Sequence, residues 1–188
     1  MRWHMRFSAA VALVATSAFG QAGEHVGKAL YFLEDDAHGQ WCGYASEAQF
    51  KAQVQPLRAM VVGRVDYTDG RVSKVGVTET DETGDWAVND EYVINGAGKI
   101  QSLKRTINII PENLAEDQFF LIENGKAVRQ RAYSRDLRTG KPTQRSASTF
   151  DAPPIVKSLQ AFPFSALIVG GQRPVQPDGA FCVPQGPK

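Results

Sequence analysis

The chain has 188 residues, 43% of them hydrophobic and 22% charged. That is enough apolar content for one packed domain and excludes wholesale disorder. Lys and Arg total 21 against 20 Asp and Glu, a formal charge of +1, which excludes a nucleic-acid binder relying on bulk positive charge. Two cysteines and three histidines are too few for a four-ligand zinc module.

The N-terminus reads as a secretory signal peptide over residues 1–22. Arg2 and Arg6 form the charged region, Phe7 to Phe19 is uncharged, and Ala18, Gly20 and Ala22 are small residues suited to cleavage. The apolar run of about 13 residues is too short to span a bilayer, so no transmembrane span is expected once the signal is removed. An exported protein, periplasmic or secreted, follows. Its remaining charge is 19 basic against 20 acidic residues, and its histidines are His25 and His38. In an oxidising compartment Cys42 and Cys182 are most simply one disulfide, a clasp between the two ends of the chain.

Lys28–Glu34 has strand composition, Asp35–Gly39 is a turn cluster, and Gln40–Tyr44 reads as a returning strand. Ser46 with Gln49 fits a capping box. It predicts a short helix from Glu47 to about Gln55, stopped by Pro56, with Phe50 and Val54 as its apolar stripe. From Met60 the pattern turns to β. Met60–Thr68 and Arg71–Thr78 flank Asp69-Gly70, and Trp86–Ile94 and Lys99–Ile109 flank Asn95–Gly98. Gln118–Glu123 and Lys126–Ser134 flank Asn124-Gly125, and Gln144–Phe150 is a further candidate strand. The connections are too short for βαβ crossovers, so the sheet should be antiparallel.

Pro153-Pro154 marks a break, after which Ile155–Gln160 suggests one helical turn and Ala166–Val169 a short buried strand. Residues 172–188 read as a Pro-rich tail tied by the disulfide, leaving 23–171 as a single β-rich domain. The expected class is α+β, mainly β: a curled antiparallel meander, half-barrel or open sandwich, with one covering helix. Phe119/Leu121 and Phe120/Ile122 place apolar residues on both faces of one strand, as in a strand covered on both sides.

The chemistry-bearing residues are sparse. A Ser–His–acid hydrolase lacks its nucleophile elbow, and Ser165 reads as a strand start. Asp35-Asp36-Ala37-His38 is the most metal-like stretch, yet turn chemistry accounts for it. The acidic run Glu79–Asp85 departs from the EF-hand pattern and reads as a polar loop. No catalytic residue, metal site or cofactor is assigned.

Trp86, Val88, Asp90, Tyr92 and Ile94 share a face by period two. A two-residue turn at Gly96-Ala97 would set Asp90 opposite Leu103, making Arg105 its diagonal neighbour on an apolar face. An unpaired carboxylate is costly there, so an Asp90–Arg105 pair is expected. Three functions remain open. The first is a non-enzymatic binding or carrier protein, holding a small apolar or amphiphilic ligand near Trp86, Asp90, Tyr92, Arg105, Phe119 and Leu121. The second is an interaction module of the cell envelope with a filled core. The third is a hydrolase using carboxylates such as Asp81, Asp85 or Asp90. Arg129, Arg131 and Arg135 form a candidate anion-binding stripe with Tyr133.

Overall fold

A computed structural model describes residues 29–57, 59–123, 125–147, 150, 153, 156–168 and 181–185. The expected signal peptide, His25, Asn124 and most of the 172–188 tail lie outside these residues. Ten strands form one open antiparallel sheet: β1 (Ala29–Asp35), β2 (Gln40–Tyr44), β3 (Val61–Thr68), β4 (Arg71–Thr80), β5 (Trp86–Ile94), β6 (Ile100–Ile109), β7 (Leu114–Glu123), β8 (Lys126–Asp136), β9 (Pro142–Thr143) and β10 (Phe181–Pro184). Their spatial order is β10-β2-β1-β3-β4-β5-β6-β7-β8-β9. Consecutive hairpins produce the meander from β3 to β9. The helix α1 (Glu47–Leu57) carries the chain from β2 over β1 to β3.

The hairpin chemistry sets the registers. Asp69 and Gly70 both take positive φ, 51° and 72°, the twist that suits a two-residue turn between right-twisted strands. Between β5 and β6 the turn is longer than expected. Asn95 and Lys99 close it, Gly98 takes φ 74°, and a bulge follows at Val93/Ile94. These extra residues move the register by two, so Asp90 faces Arg105 directly rather than diagonally.

Other boundaries differ from the sequence expectation. The capping bond at α1 is present, Gln49 N–H donating to Ser46 Oγ at 3.3 Å. The helix nevertheless runs to Leu57, because a proline in the last turn removes only one N–H. β7 starts at Leu114, since pairing on both sides recruits its polar first half. Gln144–Ala147 is not a strand; only Pro142–Thr143 pairs with β8. Leu159–Ala161 and Ser165–Leu167 are single 3-10 turns, so Ser165 opens a turn instead of a strand. Val169 lies outside the described residues.

The two faces of the sheet have different cover. On the inner face, Leu30, Phe32, Val65, Val75, Tyr92 and Leu103 pack against Leu159, Phe162, Phe164 and Leu167 from the C-terminal segment. Further along that face, Val88, Ile107 and Leu114 pack with Ala147, Trp86 and Phe150. On the outer face α1 covers only the β1–β2–β3 end, where Phe50 sits among Leu33, Cys42, Tyr44 and Val62.

The clasp forms. Cys42 and Cys182 are directly opposed across β2 and β10, and their sulfurs are bonded. The segment around Cys182 is held by more than the sulfur bridge: β10 is a paired strand, and Gln185 donates from its side chain to Glu34 at 2.8 Å. No helix among the described residues is long and apolar enough to cross a membrane.

Candidate functional site

Asp90 and Arg105 meet as a bidentate pair in the middle of the inner face. Arg105 Nε donates to Asp90 Oδ1 at 2.7 Å and Nη2 to Oδ2 at 2.6 Å. Both residues are buried, 7% and 6% exposed. Burial by itself would lower the Arg105 pKa, but hydrogen bonding and the charge of Asp90 outweigh it and raise that pKa above its usual value. Burial, reinforced by Asp90, likewise raises the pKa of the Tyr92 hydroxyl.

The polar line continues across the sheet. Gln118 stands opposite Arg105 and donates to Glu116 Oε1 at 2.7 Å. Glu116 is itself buried. Its Oε2 accepts from Ser134 Oγ at 3.2 Å, Ser146 Oγ at 2.9 Å and the Ala147 N–H at 2.8 Å. Burial opposes ionisation, yet these donors prevail and hold the carboxyl below its usual range. Glu116 thereby ties the 146–147 segment to the inner face. This anchor was missed from sequence because Glu116 fell outside the expected strand; its alternation with Gln118 and Phe120 was the available signal.

The inner face is filled by the chain itself. The Phe164 ring stacks on Phe32 with centroids 3.9 Å apart and meets Trp41 edge-on at 5.4 Å. Phe162 covers Tyr92 at 5.1 Å. Of the six residues grouped as a candidate ligand site, Trp86, Asp90, Tyr92 and Arg105 belong to this inner face. Phe119 and Leu121 do not join them. They pair with Lys104 and Ser102 and lie on the outer face. On this outer face the first half of β7 is buried, at Ala115 and Asp117, and only its second half opens, with Leu121 43% exposed.

The arginine stripe is divided by a bulge. Phe119 faces Arg131, whereas Phe120 faces Arg129, so Gln130 is extra and the two arginines go to opposite sides. Arg135 is not free for an anion, because it forms an ion pair with the buried Asp117. Lys104 also approaches Asp117, at 3.6 Å.

What does assemble on the outer face is a mixed aromatic and cationic patch. Arg131 lies over the Phe119 ring at 4.3 Å, and Lys104 approaches the same ring at 5.7 Å. Tyr133 stacks beside Phe119 at 5.8 Å. Val128, directly opposite Leu121, is 40% exposed, and Tyr133, opposite Asp117, is 49% exposed. Three exposed apolar side chains thus line the outer face of β7 and β8, with Phe119 and Arg131 between Tyr133 and the Leu121–Val128 pair.

The other carboxylates organise local structure. Asp35 is buried; the bond from Gln40 and then those from His38 lower its pKa against the effect of burial. Asp81 accepts from Thr83 Oγ1 at 2.5 Å and the Trp86 N–H at 3.2 Å, shaping the β4–β5 loop. Among the described residues no group of three or more His, Cys, Asp or Glu is placed to hold a metal ion. Compared with known proteins, the chain matches no family model, no curated protein and no solved structure.

Proposed function

We propose that this protein is an exported, non-enzymatic interaction module, stapled end to end by its disulfide and engaging a partner through the outer face of β7 and β8. The observation that carries the proposal is the contrast between the two faces. Phe162, Phe164 and Leu167 already fill the inner face, around Tyr92, where a carried ligand would sit. Leu121, Val128 and Tyr133 stand open on the opposite side beside Arg131. Grouped exposed apolar residues of this kind mark interaction surfaces, and aromatic and arginine side chains are the usual anchors of such contacts.

The carrier alternative requires residues 159–168 to vacate the sheet, exposing a large buried aromatic cluster to water at substantial cost. The carboxylate-hydrolase alternative is weaker still, because Asp90 is committed to Arg105 and Asp81 to its loop.

The test is site-specific photo-crosslinking in the source compartment. A photoreactive residue at Val128 or Tyr133 should give one discrete adduct, while the same group at Glu82, exposed in the β4–β5 loop, should not. Equal labelling from all three positions defeats the proposal. So does an endogenous small molecule found by native mass spectrometry to be lost on Phe162→Ala.

A further inference from the structure

The outer edge of β8 adds something the patch alone does not. β9 pairs only with Ser134 and Arg135. Among the described residues no strand pairs with the outer edge of β8 over residues 126–133. An edge strand of that length presents a row of peptide donors and acceptors ready to accept another strand. Three of its eight side chains are basic, Lys126, Arg129 and Arg131, and none is acidic. The bulge at Gln130 splits the cations, so that Lys126 and Arg131 border the outer face and Arg129 the inner one.

We infer that residues 126–133 of β8 receive an acidic, extended segment of a partner protein as an added eleventh strand. The inference rests on the proposed interaction role and names the partner's chemistry. Backbone pairing along the edge supplies the attachment. Carboxylates on the incoming strand meet Lys126, Arg129 and Arg131, and its apolar side chains cover Val128 and Tyr133. Charge complementarity selects this occupant over a second copy of the chain: two β8 edges paired with one another would gather three cations from each copy at a junction with no carboxylate in either strand segment, which is destabilising. Cations and a bulge are also the devices that keep an edge from pairing at all, and the experiment separates the two roles.

The probe is a capped Val-Thr-Glu-Glu-Val-Thr-Glu peptide, which as an antiparallel strand sets Glu against Lys126, Arg129 and Arg131 and Val against Val128 and Tyr133. Binding is followed by fluorescence anisotropy on the disulfide-intact protein, with the peptide carrying Lys in place of each Glu as control. The acidic peptide should bind and the basic one should not. Raising salt from ~0.05 M to ~0.5 M should weaken binding several-fold through screening. Arg131→Glu should weaken it at least ~10-fold, whereas Arg131→Lys should retain most of it. Amide hydrogen exchange over 126–133 should slow on binding. Failure of both peptides to bind means the edge is merely protected and overturns the inference. Binding without slower exchange, or self-association through β8, overturns it as well. If the peptides fail while crosslinks from Val128 and Tyr133 persist, strand addition falls and the interaction role stands.

Discussion

The Asp90–Arg105 pair offers the sharpest test of how the core is held together. Replacing Asp90 with Leu removes the carboxylate and leaves Arg105, a residue 6% exposed, without its bidentate partner. Orphaning one member of a buried pair costs about 3–5 kcal/mol. Glu79 also contributes to holding Arg105 charged, so the lower end, ~3 kcal/mol, is the figure to expect. Arg105→Met should cost a similar amount by stranding the carboxylate. The double variant exchanges both charges for apolar groups, and such replacements are often neutral within ~1–2 kcal/mol. The coupling energy from the cycle should therefore reach at least ~3 kcal/mol. The assay is urea unfolding at neutral pH with the disulfide intact, followed by tryptophan fluorescence and far-UV circular dichroism to establish a single transition. A cost below ~1 kcal/mol for Asp90→Leu would refute the reasoning, as would a double variant as unstable as the two singles combined.

Three further outcomes are expected. Gly63 lies opposite Phe32, and a Cβ there would fall 2.1 Å from Phe32 Cζ and 2.4 Å from the Gly76 carbonyl oxygen. Gly63→Ala should thus cost ~2 kcal/mol or more and lower Tm by about 5 °C, with only partial relief from Phe32→Leu because the Gly76 oxygen is backbone. An unchanged Tm would sink that account. Replacing Cys42 and Cys182 with Ala opens a clasp spanning 140 residues of sequence. The chain-entropy model gives a loss of about 5 kcal/mol, measurable as a drop in urea midpoint, and an unaltered midpoint would contradict it. Glu116→Gln should destabilise by about 1–3 kcal/mol at pH 7. Its folded carboxyl titrates below the unfolded value of 4.5. The wild-type advantage is therefore complete above that value and fades as pH falls through the folded one. Stability curves that stay parallel down to about pH 2 would argue against the ionised anchor.

Much of the architecture was legible in the sequence because it depends on local rules. The period-two patterns, the Asp69-Gly70 and Asn124-Gly125 turn dipeptides and the short connections together specify an antiparallel meander. Ser46 and Gln49 mark the helix start, and an isolated pair of cysteines foretells the clasp. Even the Asp90–Arg105 pair followed from one physical fact: a carboxylate on an apolar face needs a counter-charge.

What tertiary structure alone decided concerns which face each residue serves. One bulge residue at Gln130 sends Arg129 and Arg131 to opposite sides, and the longer Asn95–Lys99 turn together with the bulge at Val93/Ile94 slides Arg105 opposite Asp90. Neither has a strong local signature, since an inserted residue costs little locally but reverses the pattern beyond it. The placement of Phe162 and Phe164 is likewise a long-range event. They fill a surface built mainly from strands far earlier in the chain, and their own segment adopts 3-10 turns without strong helix or strand signals. Sequence by itself determined that this chain makes a twisted antiparallel sheet with a clasp. Only folding determined that the sheet's inner face is filled by the chain's own C-terminal segment, and that Leu121, Val128 and Tyr133 stand exposed on the other face.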